Sequence, residues 1–111
     1  MDLKKIIKDS ISELKTTGSC SSNVDDVEVS LAKKGIYGNR YIIEDCSGVS
    51  LTRINHDGIK KGCSWHEVYV LDSENLVIDL DSPEQIYRKD LYFKKCLITP
   101  KDPIFAHLEE S

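Results

Sequence analysis

Three residues of this chain have the types and the order that covalent chemistry at a carbonyl group needs: Cys20, His66 and Asp79. A thiol, an imidazole and a carboxylate that meet in space form a nucleophile, its general base and the group that orients the base. Long stretches of sequence separate the three residues, so they can act together only if the fold brings them to one place. The elements that carry them decide whether this happens.

Cys20 lies at the start of a helix predicted over residues 20–34. The surrounding Ser-Cys-Ser-Ser-Asn run offers several N-cap side chains, and Gly35 is placed to end the helix. A thiol at a helix N-terminus has its thiolate favoured by the helix dipole and by free backbone N–H groups. The Cys20 backbone N–H is also a candidate oxyanion donor. An amphipathic helix is predicted before this segment, over residues 2–16.

His66 and Asp79 lie on one predicted hairpin, whose strands cover residues 64–71 and 76–80. If Leu71 pairs with Leu76 across the turn, His66 stands opposite Asp81 and diagonal to Asp79, on the same face of the hairpin. The diagonal neighbours are about 7 Å apart at the backbone, a distance that side chains can bridge. Either aspartate can therefore hold the imidazole ring.

The remaining elements complete an α+β chain in which N-terminal helices pack on an antiparallel sheet. We expect a single domain over residues 1–111, with a loose tail from residue 100. The other predicted elements are strands over 40–44 and 49–54, a short helical segment from Pro83 toward Tyr87, and a last strand over 91–98. The tyrosines are spread along the chain and are interpreted as packing residues: Tyr37, Tyr41, Tyr69, Tyr87 and Tyr92.

Composition argues against several classes of function. The 111 residues carry a formal net charge of −4, and the lysines form scattered pairs, which is not the basic stripe of a nucleic-acid-binding protein. No apolar run has the length of a membrane span, and the charged first helix is not a signal peptide. Because the four cysteines are widely spaced, we expect reduced thiols and a cytoplasmic protein.

Two stretches of the chain resemble the papain-like clan of cysteine enzymes. The stretch from Gly62 to Asp79 (GCSWHEVYVLDSENLVID) is similar to the clan's His-hairpin-Asp segment. The stretch from Gly18 to Asn23 (GSCSSN), running into a helix that closes at Gly35, resembles its nucleophile helix. The small size is most similar to papain-fold toxin domains of bacterial polymorphic toxins, and transglutaminase-like proteins share the same Cys, His, Asp order.

The resemblance implies a papain-like fold in which Cys20 is the nucleophile, His66 the general base and Asp79 the orienting group. It implies a cysteine-dependent amide hydrolase or acyl transferase, such as a protease, a glutamine deamidase or a transglutaminase-like enzyme. The substrate would be a protein or a peptide, and the chemistry would need no cofactor and no metal. A bacterial toxin effector of this kind would be delivered into a target cell, and a cognate immunity protein would cover its cleft.

Two features of the papain-like pattern are missing from this chain. Papain-type enzymes place an oxyanion-hole glutamine shortly before the cysteine, whereas the segment from Glu13 to Thr17 contains none. Thr16, Thr17 or a backbone amide would have to replace it. The aromatic residue that often follows the cysteine is also absent.

Three other interpretations stay open at the level of sequence. Cys46, Cys63, His66 and Cys96 could form a zinc site, although positions three apart on a strand face opposite ways. Cys63 could itself be the nucleophile beside His66. The chain could also be a non-catalytic binding protein, such as an immunity or adaptor protein, which the acidic charge and the missing glutamine favour. His56 is interpreted as a turn residue.

Overall fold

The computed structural model describes residues 2–17, 19–45, 51–63, 66–99 and 103–107. Within these ranges the chain forms three α-helices: α1 (Leu3–Ile11), α2 (Cys20–Ala32) and α3 (Lys89–Cys96). It also forms eight strands: β1 (Asn39–Asp45), β2 (Leu51–Ile54), β3 (Lys60–Cys63), β4 (His66–Leu71), β5 (Leu76–Ile78), β6 (Ile86–Arg88), β7 (Leu97–Thr99) and β8 (Pro103–His107). No helix of the described ranges is long and apolar enough to cross a membrane.

The strands form two antiparallel sheets, so the predicted α+β class with an antiparallel sheet is confirmed. The larger sheet has the order β6-β5-β4-β1-β8, and the smaller one has the order β3-β2-β7. Helices α1 and α2 pack on one face of the larger sheet, against Tyr69 and Leu71. Residues of α3 and β2 pack on its other face, against Val68 and Val70. The alternation of side chains along β4 thus divides the core into two clusters.

Helix α2 begins at the predicted residue because its N-cap is satisfied. The Ser19 hydroxyl accepts a hydrogen bond from the Ser22 backbone N–H at 3.3 Å. The helix ends as predicted near Gly35, whose φ of 74° only glycine adopts without strain, and the Ile36 N–H returns to the Leu31 carbonyl at 3.0 Å. The position of Cys20 at a helix N-terminus is therefore confirmed. The first helix, α1, is shorter than the predicted 2–16.

The predicted hairpin register is also confirmed, since Leu71 pairs with Leu76 and Val70 with Val77. The second strand is shorter than predicted and ends at Ile78. Asp79 has left the ladder, and its N–H donates to the Gln85 carbonyl at 2.8 Å. Because the pairing of β5 with β4 stops at Ile78, Asp79 rather than Asp81 reaches His66 on β4.

Two sequence predictions on the C-terminal side are wrong. The predicted strand over 91–98 is mostly helix α3, in which the buried residues Tyr92 and Cys96 are four apart and share one helical face. The predicted helical segment after Pro83 is a series of bends that leads into β6, which is a strand because it pairs with β5. Both segments are short, and their apolar patterns suit either period.

The predicted loose tail is wrong for residues 103–107. These residues form β8, which pairs with β1 at the outer edge of the larger sheet. Strand β3 was not predicted, because its Lys-Lys-Gly-Cys sequence has little strand propensity and depends on pairing with β2. Residues 49–50 of the predicted strand 49–54, and residues 100–102 and 108–111 of the predicted tail, lie outside the described residues.

Candidate active site

The fold brings together the three residues that the sequence singled out. Cys20 is the first residue of α2, His66 is the first residue of β4, and Asp79 follows the end of β5. His66 Nε2 lies 2.9 Å from Asp79 Oδ2, and both side chains are buried, with exposed fractions of 1% and 4%. The Cys20 thiol lies close enough to the imidazole ring for each group to shift the pKa of the other. Because Nε2 faces the carboxylate, Nδ1 is the ring nitrogen left for the sulfur.

The surroundings of Cys20 favour its thiolate. Partial burial raises the pKa of the thiol, but the net pKa is lowered, because the neighbouring His66 ring and the Glu67 backbone N–H both favour the thiolate. The position at the N-terminus of α2 acts in the same direction. Cys20 is partly exposed, whereas His66 is buried.

The surroundings of His66 favour its protonated form. Burial lowers the pKa of the ring, but the charge and hydrogen bond of Asp79 outweigh this and raise the pKa to about 9. Burial opposes ionisation of Asp79 as well, yet the imidazolium lowers the pKa of this carboxyl group below its ordinary value. The shifts of Cys20, His66 and Asp79 all favour a thiolate–imidazolium pair supported by a carboxylate.

Three donors hold the Asp79 carboxylate. His66 Nε2 and the Tyr92 hydroxyl both reach Oδ2, at 2.9 and 2.6 Å, and the Asp81 N–H donates to Oδ1 at 3.1 Å. Tyr92, which the sequence predicts only as a packing residue, thus also contacts the candidate site, a contact that sequence reasoning missed. In the sequence, only a helical pattern over residues 89–96 could have indicated this contact, because it would have placed Tyr92 on the buried face of a helix.

Asp81, the other aspartate that the hairpin left open, does not hold His66. Its carboxylate binds Arg53 Nη2 at 2.7 Å and His56 Nδ1 at 2.6 Å, and its carbonyl accepts from Arg53 Nη1 at 3.0 Å. His56 is in a turn, as predicted, and it also connects that turn to the loop that carries Asp79. Arg53 was not identified from the sequence. Its charge lowers the pKa of His66 and of Asp79, so it is close to both.

Glu67 is a buried carboxylate near Cys20. Its side chain is 5% exposed, and its Oε2 has no hydrogen-bond partner among the described residues. Its Oε1 lies 3.9 Å from Arg40 Nη1, and Arg40 also pairs with Asp25 and Glu28. The negative charge of Glu67 raises the pKa of Cys20, so this side chain opposes the thiolate that its own backbone N–H stabilises.

The two threonines that were expected to replace the missing glutamine have other partners. The Thr16 hydroxyl donates to the Leu80 carbonyl at 3.1 Å. The Thr17 hydroxyl lies 3.0 Å from Asn23 Oδ1 and 2.9 Å from the Ser19 carbonyl. These contacts fix the segment before Cys20 against α2 and the β5–β6 loop. Of the expected oxyanion donors, a backbone amide such as that of Cys20 is the one that remains.

The rival interpretations involve residues that are only partly described. Cys46 and the side chain of Cys63 lie outside the described residues. The zinc site needs both of these cysteines, and the alternative nucleophile is Cys63 itself. Cys96 is buried, and burial raises the pKa of its thiol to about 11. Among the described residues, no group of three His, Cys, Asp or Glu side chains is arranged to hold a metal ion.

The described arrangement can carry out nucleophilic chemistry at a carbonyl carbon. It has an ionisable sulfur, a proton-bearing ring next to that sulfur, and a carboxylate that fixes the ring. Comparisons of the chain with protein-family models, with curated proteins and with solved structures found no match.

Proposed function

We propose that this chain is a cysteine-dependent amide hydrolase or acyl transferase with a papain-like arrangement of Cys20, His66 and Asp79. One observation carries the proposal: the imidazole ring is hydrogen-bonded to the Asp79 carboxylate through Nε2 and lies close to the Cys20 thiol, which stands at a helix N-terminus. The raised pKa of His66 and the lowered pKa of Cys20 support it, because they describe a nucleophile that is ready to react.

The proposed reaction begins with attack of the Cys20 thiolate on an amide carbonyl carbon. A C–S bond forms, and the carbonyl electron pair moves to the oxygen, where a backbone N–H would stabilise it. When the intermediate collapses, the C–N bond breaks and His66 gives its proton to the leaving amine. The product is a thioester on Cys20 and a neutral His66 ring.

The second half of the reaction releases the acyl group. His66 takes a proton from water or from an amine, which attacks the thioester, and the C–S bond breaks to restore the thiolate. Water gives hydrolysis or deamidation, and an amine gives acyl transfer. Asp79 remains a carboxylate throughout and keeps the ring aligned. The substrate would be a protein or a peptide, consistent with a toxin effector domain that a cognate immunity protein blocks.

Iodoacetamide labelling of each cysteine across pH, read by mass spectrometry, tests the proposal without a known substrate. We expect Cys20 to react faster than the other cysteines, with an apparent pKa below that of a free thiol. His66→Gln should remove this advantage, whereas His56→Gln, the matched control, should keep it. Slow labelling of Cys20 with an ordinary thiol profile would refute the proposed nucleophile.

Direct assays then separate the reaction types. Release of ammonia from a glutamine peptide reports deamidation, incorporation of a fluorescent amine reports acyl transfer, and new peptide termini report proteolysis. Any of these should be lost in Cys20→Ser. The second candidate, a non-catalytic binding protein, is favoured by the side-chain contacts of Thr16 and Thr17, which leave no threonine hydroxyl to replace the glutamine. It predicts equal, slow labelling of the cysteines and no turnover.

A further inference from the structure

We propose that Tyr92 is a positioning residue of this triad: its hydroxyl fixes the Asp79 carboxylate and limits how strongly that carboxylate holds the His66 ring. The inference rests on the proposed function, because it assigns a role within the same site. It adds a fourth residue, from helix α3, to an arrangement that otherwise comes from α2 and the β4–β5 hairpin.

The geometry of the contact is specific. The Tyr92 side chain is fully buried, and its hydroxyl donates to Asp79 Oδ2 at 2.6 Å, the same oxygen that lies 2.9 Å from His66 Nε2. The Asp81 N–H holds the second oxygen. Rotation of the carboxylate would break hydrogen bonds from three separate segments at once, so its plane, and with it the direction of the His66 ring, is fixed.

The hydroxyl also shares the charge of Oδ2 with the imidazolium. A carboxylate oxygen that accepts a second hydrogen bond is a weaker partner for the first donor, so Tyr92 reduces the pull of Asp79 on the His66 proton. Burial and the charge of Asp79 raise the pKa of Tyr92 well above its ordinary value, so the hydroxyl keeps its proton while His66 titrates. Within the described part of the chain, the other ionisable groups that act on these side chains are Cys20 from α2, Arg53 from β2 and Cys96 from α3.

Tyr87 provides a matched comparison for a purely structural role. It is buried in the same core cluster, and its ring meets that of Tyr92 edge to face with centroids 5.4 Å apart. Its hydroxyl, however, accepts from the Glu84 N–H at 2.9 Å. Tyr92→Phe and Tyr87→Phe therefore each remove one buried oxygen, but only the first removes a donor from Asp79.

The test is the titration of the His66 ring, followed by NMR, together with the pH profile of Cys20 labelling. In Tyr92→Phe we expect the ring to lose its proton at a pH higher by about half a unit, because Asp79 then holds the imidazolium more strongly. Tyr87→Phe should leave the titration unchanged. An unchanged or downward shift in Tyr92→Phe, or equal shifts in the two variants, would overturn the inference.

Global replacement of tyrosine by 3-fluorotyrosine gives a second test that does not depend on the folding of a variant. Fluorination makes the hydroxyl more acidic and a stronger donor, so the His66 titration should move to lower pH. No shift, or an upward one, overturns the inference. If His66 and Cys20 of the unsubstituted protein titrate independently, the proposed function fails, and the inference fails with it. If they are coupled and only the Tyr92 results fail, the proposed function stands.

Discussion

Among the described residues, His56 is paired with Asp81 and His66 with Asp79, two aspartates that are two residues apart, and the two pairs behave differently. His56 lies 2.6 Å from Asp81, and His66 lies 2.9 Å from Asp79. The His56 side chain is 44% exposed, whereas His66 is buried. Both pKa values are raised, but only that of His66 is raised far, to about 9. Burial by itself lowers the pKa of His66, but it also strengthens the attraction to the Asp79 charge, and this attraction, rather than a shorter distance, makes the buried pair the stronger one.

The two aspartates also differ in what else they hold. Asp81 divides its carboxylate between His56 and Arg53, in contact with solvent, and its contacts join a turn to a loop. Oδ2 of the buried Asp79 carboxylate is hydrogen-bonded to both His66 and Tyr92. The exposed pair organises the backbone around the site, while the buried pair controls the protonation of a candidate base.

The largest difference should appear when each aspartate is made neutral. Asp79→Asn leaves the His66 ring and the Tyr92 hydroxyl without a buried negative acceptor, so we expect the free energy of unfolding to fall by about 4 kcal/mol. Asp81→Asn, its matched control, should cost about 1 kcal/mol, because water can replace part of what is lost. Urea denaturation measures both. Equal losses would show that burial does not separate the two pairs.

The second effect is the pH dependence of stability, measured in Cys20→Ser so that the thiol does not contribute. With Cys20 present, the pKa of His66 in the folded chain is raised to about 9, and Cys20 contributes part of that rise. In Cys20→Ser the pKa should be lower than this but still above the ordinary histidine value at which the unfolded chain releases the proton. His66 therefore makes its full contribution to the free energy of unfolding below about pH 6.5. This contribution, at most about 3 kcal/mol, is lost as the pH rises toward about 9.

The same histidines provide the controls for this pH dependence. Adding His66→Gln should remove the decline between pH 6.5 and 9, because no ring then titrates in the buried site. Adding His56→Gln should leave most of it. A decline that survives the loss of His66 would assign it to another group.

A smaller effect should come from Glu67, the buried carboxylate near Cys20. Glu67→Gln removes a charge that raises the pKa of Cys20, so labelling of Cys20 at pH 6 should become about three times faster. Glu28→Gln is the matched control, because Glu28 contacts the same Arg40 from a more exposed position. Slower labelling in Glu67→Gln, or the same change in both variants, would contradict this role.

The smallest effect should distinguish the two pairs by salt. In 1 M NaCl the pKa of His56 should return toward its ordinary value, since exposed charges are screened within about 3 Å at that ionic strength. The pKa of His66 should stay where it is, because ions do not reach its partner. NMR titration of both rings at low and high salt measures this, and a parallel response would contradict the proposed difference.

The parts of the site that could be predicted from sequence are those with local signals. A serine cap placed Cys20 at the start of α2, and the pairing of Leu71 with Leu76 placed His66 near two aspartates. The hairpin pattern alone could not decide between Asp79 and Asp81, because the choice depends on β5 ending at Ile78, where the chain bends back toward Gln85. That end is set by pairing with β6, a contact that no local pattern encodes.

The contact of Tyr92 was out of reach for a related reason. The residues of α3 carry apolar side chains at spacings that suit a strand as well as a helix, and the packing of the helix on the second core cluster decides between them. Arg53 reaches Asp81 from a strand whose sheet partners were also not predicted. The papain-like relationship and the enzymatic activity remain predictions.

The pairing of β8 with the outer side of β1 has a practical consequence for anyone who shortens this protein. With residues 103–107 removed, the backbone amides and carbonyls of β1 along that side would have no ladder partner. An unpaired edge strand of this kind readily pairs with a strand of a second molecule. A truncated sample would therefore tend to self-associate, next to the very strand that supports His66, and an apparent loss of reactivity could then be an artefact of aggregation.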